Sequence, residues 1–152
     1  VLKIFFPALK VTLLDSNNKK IRFLTELQDK IHVDNLELIN TRVENIRNER
    51  LNYYDVVTAR AVTNMPVLTE LAMPLVKING YFIAMKGSNE EEIEDGKFAI
   101  IKMHGIVEEI NKFSLSKEAG MRNIVKVKKE KETLNTELRP YEKIIKKPLA
   151  KN

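Results

Sequence analysis

The chain has 152 residues, with 26 Lys+Arg against 21 Asp+Glu for a net charge of +5, and it is 43% apolar and 31% charged. That length and balance fit one folded domain and exclude disorder along the whole chain. Cysteine is absent, which removes disulfide frameworks, thiolate metal sites and cysteine nucleophiles, and no apolar run approaches the ~20 residues of a membrane span. The opening Val1-Leu2-Lys3-Ile4-Phe5-Phe6-Pro7 is too short and wrongly flanked for a signal peptide, so a soluble, cytoplasmic protein is expected. The chain begins on Val1 rather than Met, already in an apolar run, as expected of a piece of something longer. All five glycines (Gly80, Gly87, Gly96, Gly105 and Gly120) lie in the second half. Residues 1–79 therefore hold no glycine-rich phosphate or nucleotide loop.

In chain order, Lys10 to Leu14 is a short β-branched strand, and Asp15-Ser16-Asn17 marks a helix N-cap after it. Ile21, Leu24, Leu27 and Ile31 recur at helical spacing and predict about four turns. Leu36 to Ile39 and Asp55 to Ala59 are the second and third strands. Pro66 suits the first turn of a helix carrying Leu68, Leu71, Ala72 and Leu75, which Pro74 should bend or shorten. Asn79-Gly80 predicts a turn, and Tyr81 to Met85 a strand buried on both faces. Ser88 and Glu91 have capping-box spacing, opening a helix that runs to His104, is weakened at Gly96 and stops at Gly105. Strands around 107–115 and 123–128, joined by a loop from Ser116 to Arg122, predict an antiparallel pair. From Thr133 the pattern fades into a Lys/Glu/Pro-containing tail, irregular or docked.

Repeated strand–helix alternation predicts an α/β fold: a mostly parallel sheet covered by helices, with an antiparallel edge. Charge is uneven along it. Residues 1–96 carry 12 basic and 14 acidic side chains, residues 97–152 carry 14 and 7. A basic C-terminal third suggests a polyanion partner, with a solvated lysine-rich tail as the equal alternative. With only Phe113 and Tyr141 near those cations, no base-stacking platform is evident.

Ligands on such sheets bind at the carboxyl ends of the strands. Asp15 is there a candidate to accept ribose hydroxyls, or simply a helix cap. Glu44 lies one strand over, either flanking the same nucleoside or facing solvent at a helix start. Arg60, between two alanines directly after an apolar strand, suits a carboxylate or phosphate, or an ion pair with Asp15, Glu44 or Asp55. Lys86 is its equivalent on the next strand. His32 and His104 lack partners at metal spacing, and no metal is expected.

Those residues carry a family resemblance. Val11 to Leu24 (VTLLDSNNKKIRFL) resembles the second strand and following helix of the small-subunit rRNA guanine-N7 methyltransferases, the glucose-inhibited division protein B family. Asp55 to Val62 (DVVTARAV) is similar to its fourth-strand segment, and Leu71 to Lys77 and Ala84 to Gly87 resemble further segments in order. Arg122-Asn123-Ile124 with its alternating Val and Lys resembles the last strand. The resemblance covers Val1 to about Lys129. It implies a class I S-adenosylmethionine-dependent methyltransferase fold, a Rossmann-like three-layer sandwich with an antiparallel C-terminal strand. It further implies methylation of a guanine N7 in 16S rRNA. A domain over 1–130 is expected to lack the family's first strand and glycine-rich loop, followed by a basic tail over 131–152. Adenosine contacts carry onto Val43 and Glu44, the ribose position onto Asp15 and the cleft arginine onto Arg60. Lys86 and Arg122 stand as candidate substrate contacts. The implied partner of a monomeric protein is 16S rRNA or the small ribosomal subunit. Lys146-Lys147-Pro148-Leu149 resembles the family's end, while the glycine and spaced prolines expected before it are replaced here by Arg139 to Ile145.

The chemistry is consistent on its own terms. Guanine N7 carries an accessible lone pair, so no general base is demanded, and in-line positioning is the main task. Arg60 to Pro66 lacks the Asn/Asp-Pro-Pro-aromatic turn of methyltransferases that act on exocyclic amines, which favours a ring nitrogen, so no residue is assigned as acid or base. Two rivals remain: a nicotinamide-dependent oxidoreductase, which would need a glycine-rich turn and a proton donor, and a non-catalytic receiver or RNA-binding module.

Overall fold

From Val11 onward strand and helix alternate in the computed structural model, which describes residues 1–114 and 120–150. The chain divides into two compact units, Val1–Ile46 and Arg47–Asn152.

The first unit contains α1 (Leu2–Phe5), β1 (Val11–Asp15), α2 (Asn18–Ile31), β2 (Leu36–Asn40) and α3 (Val43–Ile46). β1 and β2 pair in parallel, from Val11 opposite Leu36 to Asp15 opposite Asn40. The apolar stripe of α2 turns Ile21 fully inward and Leu24 and Leu27 partly so. Its N-cap is Asn17, whose side chain accepts from the Lys19 N–H (2.9 Å). Asp15, the other reading for that cap, is the last residue of the strand. Its Oδ1 accepts from the Asn17 N–H (2.8 Å), a local turn that leads the chain into the cap.

The second unit contains β3 (Tyr54–Arg60), α4 (Met65–Ala72), β4 (Val76–Lys86), α5 (Glu90–Lys102), β5 (Gly105–Ser114), β6 (Met121–Lys129) and α6 (Tyr141–Lys146). Its sheet has the order β3-β4-β6-β5. β3 and β4 are parallel and β6 runs against both of its neighbours. Strands fall into two hydrogen-bonded sheets rather than the one expected, because among the described residues β1 pairs with β2 alone and β3 with β4 alone.

Several local expectations shift for identifiable reasons. Asn64 caps α4, accepting from the Val67 N–H (3.1 Å), with Pro66 in the first turn. Pro74 sits in a 3-10 turn, Met73–Leu75, that ends the helix as its missing N–H requires. Asn79-Gly80 is not a turn before the next strand but a bulge inside it: β4 begins at Val76, Asn79 adopts φ 62°, and the register with β3 shifts there. A Cβ on Gly80 would lie 2.6 Å from the Asp55 carbonyl oxygen, so only glycine lets the two backbones approach. Nor is β4 buried equally on both faces. Phe82 and Ala84 are fully buried while Tyr81, Ile83 and Met85 are partly exposed, because β6 places Lys128 and Lys126 opposite Tyr81 and Ile83 on that face. α5 is capped by Asn89 rather than Ser88, accepting from the Glu92 N–H (3.3 Å), with three glutamates in the positive first turn. His104, not Gly105, takes the left-handed conformation after α5 (φ 62°), and Gly105 already begins β5.

α4 and α5 cover one face of the four-stranded sheet. Met65, Leu68, Met73, Phe82, Ile93, Ile100, Val125 and Val127 form the cluster between them, each worth about 1.5–3 kcal/mol on burial. The two helices approach closely at Gly96, where an added Cβ would overlap the Met65 side chain. β5 and β6 pair antiparallel as anticipated; residues 115–119 of the connecting loop lie outside the described residues. Beyond β6, Asn52 and Thr133 exchange two hydrogen bonds, side-chain amide to carbonyl (2.9 Å) and N–H to amide oxygen (3.0 Å). Ile144 of α6 is fully buried.

Candidate functional site

In the first unit the parallel register sets Asp15 and Asn40 side by side at the carboxyl ends of β1 and β2, and the Asn40 amide donates to the Asp15 carbonyl oxygen (3.0 Å). The Asp15 carboxylate accepts from Asn17 N–H and, through Oδ2, from Lys20 Nζ (2.9 Å). The Lys20 hydrogen bond first, then the Asn17 N–H, holds its pKa below the usual carboxylate value. An ionised carboxylate has lone pairs left after two such bonds, so Asp15 retains capacity for hydroxyl donors. Val43 and Glu44 open α3, directly after β2. Glu44 is 14% exposed and ion-paired to Arg42 Nε at 2.5 Å, which fixes the carboxylate near the end of its strand. Asp15 thus ends β1 and Glu44 follows β2, its parallel neighbour, so both carboxylates stand at the strand ends where ligands of such sheets bind.

In the second unit Arg60 is the final residue of β3, opposite Met85. It is exposed, and its guanidinium has no hydrogen-bond or ion-pair partner among the described residues. The acids weighed as partners are engaged within their own units: Asp15 with Lys20, Glu44 with Arg42, and Asp55 with Lys77 (3.1 Å). Five donors in a planar fork are therefore free for a carboxylate or phosphate.

Lys86 behaves differently from Arg60. Its side chain is 10% exposed and ion-paired to Glu92, and Nζ donates to the Thr63 carbonyl oxygen (2.7 Å). It thus ties the loop after β3, where Ala61 has φ 53°, to the start of α5. Beside it, buried Asn123 donates its amide to the Gly87 carbonyl oxygen (2.6 Å). Arg122, opposite Phe113, donates Nη1 to its neighbour Met121 O (2.9 Å). Because β6 is antiparallel, Arg122 and Asn123 lie at the same end of the sheet as Lys86.

Thr63, Glu92 and Asn123 escaped the sequence reading. Glu92 belongs to a run of three glutamates that reads as helix-start chemistry, and a buried Asn at a strand start carries no periodic signal. His32 closes α2 in the left-handed conformation, and His104 Nε2 meets Glu137 Oε1 at 2.7 Å. Among the described residues no group of three His, Cys, Asp or Glu is placed to hold a metal, and no helix is long and apolar enough to cross a membrane.

Solved structures with the same fold define the class. The chain superimposes with a TM-score of 0.68 on M. jannaschii TYW2 in complex with AdoMet, covering 84% of this chain and 62% of that one at 17% identity. The 16S rRNA (adenine(1408)-N(1))-methyltransferase from Catenulisporales acidiphilia (W203A mutant) gives a TM-score of 0.70, covering 86% and 78% at 10% identity. The fold is that of the Rossmann-like, S-adenosylmethionine-dependent methyltransferases.

The particular family follows from sequence. The family model described as rRNA small subunit methyltransferase G matches residues 1–138. Ribosomal RNA small subunit methyltransferase G of Staphylococcus carnosus is 45% identical over 136 residues, and that of Oceanobacillus iheyensis 47% over 135. The chain belongs to the rRNA small subunit methyltransferase G family. In each of these two comparisons 87% of this chain is matched, and the match spans 57% of the relative's length.

Proposed function

We propose that the complete protein transfers a methyl group from S-adenosylmethionine to N7 of a guanine in 16S rRNA. Family membership over residues 1–138 carries this reading. The residues present fit the adenosine half of the cofactor: Asp15 and Glu44 accept hydroxyls after neighbouring strands, with Val43 beside them. The methionine half has no glycine-rich cradle in the first 79 residues. The cofactor supplies an electrophilic methyl on a sulfonium. Arg60 presents an unpaired guanidinium at the end of β3 to a carboxylate or phosphate. Lys86 holds the loop that follows Arg60, and Arg122 lies at the same end of the sheet, where substrate RNA would reach it. Guanine N7 attacks through its own lone pair, so these residues orient and bind and none needs to remove a proton. The proposed partner is 16S rRNA or the small ribosomal subunit, met by a monomer in the cytoplasm. Domain limits of 1–130 for the methyltransferase fold and 131–152 for a basic tail accompany this reading.

Calorimetric titration of the complete gene product with S-adenosylmethionine tests the assignment. Arg60→Ala and Glu44→Ala should each weaken binding by about tenfold or more, as expected when a charge-assisted contact of about 1.5–3 kcal/mol is lost. Unchanged affinity in both variants would overturn the residue roles.

A further inference from the structure

The basic C-terminal third is not uniformly available to a partner. Lys97 pairs with Glu94 (2.6 Å), Lys112 with Glu90 (2.6 Å) and Lys126 with Glu108 (2.5 Å). Lys129 is buried, and Arg139 is engaged with Glu70 (2.7 Å). Lys128 and Lys131 also lack an ion-pair partner among the described residues but stand at and beyond the end of β6, whereas Lys143, Lys146 and Lys147 are grouped together. Each is exposed, and none has a side-chain partner among the described residues. A three-residue spacing puts Lys143 and Lys146 on one side of α6, with Lys147 following as its C-cap, and Glu142 is the one acid between residues 138 and 150.

This helix is held firmly. Ile144 anchors its inner side. Arg139 Nη1 reaches the Glu70 carboxylate, itself 2% exposed, and Nη2 donates to the carbonyl oxygens of Lys143 (3.3 Å) and Lys147 (2.5 Å). Glu70 Oε1 accepts in addition from the Leu149 N–H (2.8 Å). This ion pair, with its carboxylate buried, therefore fixes the backbone beneath two of the three lysines. Cations on a pre-ordered backbone lose less entropy on binding than cations on a loose tail.

We propose that the outward face of α6, formed by Lys143, Lys146 and Lys147, is a phosphate-contact surface for the RNA backbone. It lies beyond the family match, which ends at residue 138, and it rests on the reading of the protein as an rRNA methyltransferase. Ammonium groups without base-reading partners give register and salt-dependent affinity, not sequence choice.

Two triple variants of the complete gene product, each removing three positive charges, test the surface: Lys143→Gln/Lys146→Gln/Lys147→Gln, and Lys97→Gln/Lys112→Gln/Lys126→Gln. Both are titrated with a 16S rRNA transcript across a salt series, alongside S-adenosylmethionine binding and methyl transfer by the wild type. The α6 triple should bind RNA roughly tenfold or more weakly at low salt, with the slope of log affinity against log salt reduced by about two to three. The other triple should keep a slope within one of the wild type, and cofactor affinity should be unchanged in both. A wild-type slope in the α6 triple, or equal losses in the two triples, would overturn the surface. If the wild type neither binds nor methylates the transcript, the methyltransferase reading fails and the surface with it. If the wild type does both and the α6 triple matches it, only the surface is rejected.

Discussion

Lys129 ends β6 with its ammonium inside the protein, donating to the Met73 carbonyl oxygen (2.7 Å) and Thr133 Oγ1 (2.5 Å). Burial pushes its pKa down to about 8. Between pH 8 and the unfolded value of 10.5 the unfolded chain holds the proton that the folded chain has released, so stability rises with pH across that window. From pH 7.5 to 9.5 this group should add about 2 kcal/mol. Denaturant midpoints of the wild type and Lys129→Met check it: the wild type should gain relative to the variant, and parallel pH curves would contradict the assignment. Residue-scale roles were legible only in part. Asp15 and Arg60 stand at strand ends that the apolar runs marked, so their positions could be read from the chain. Buried Lys129 is harder to read: it breaks the alternation of Val and Lys by taking the inward phase of Val125 and Val127, at the strand end where a second lysine also reads as the start of a polar loop. Lys86 reads equally as a cleft cation or a structural lysine, and its partner Thr63, 23 residues away in sequence, is visible only in the fold.

α4 and α5 illustrate what element-scale patterning conveys. Gly96 reads as a weak point of a helix, where alanine would gain about 1 kcal/mol. In the structure it is the place where α5 meets Met65. Gly96→Ala should therefore destabilise by about 1–3 kcal/mol despite better helix propensity, as overpacked cores do, and urea unfolding measures it; a stabilised variant would contradict the close approach. Prolines 66 and 74 marked the start and end of α4 because their missing N–H acts locally. Asn17, the last of the Asp15-Ser16-Asn17 triplet, caps α2, and Asn89 serves where Ser88 is expected. Neighbouring polar residues compete for one cap, and which one wins depends on where the preceding chain leaves its extended path. The bulge at Asn79-Gly80 reads as a turn in sequence for a similar reason. Positive φ serves both, and only pairing with β3 distinguishes them.

At the scale of the whole molecule, strand–helix alternation led to the Rossmann-like class, and five ordered fragments led to the family, which the match over residues 1–138 establishes. Charge distribution was legible as a basic third, but which cations are free was not: ion pairs such as Lys112 with Glu90 join residues 22 positions apart. The two-sheet pairing was also hidden, because a list of strands does not state their partners. The central claim concerns the atom that is methylated. Incubation of the complete gene product with radiolabelled S-adenosylmethionine and small-subunit rRNA, followed by reduction and aniline cleavage, reads that atom directly, since the positively charged ring of an N7-methylguanine is opened by this treatment. Label confined to 16S rRNA with scission at a guanine is the result expected here; absence of label, or label that survives without scission, would contradict it.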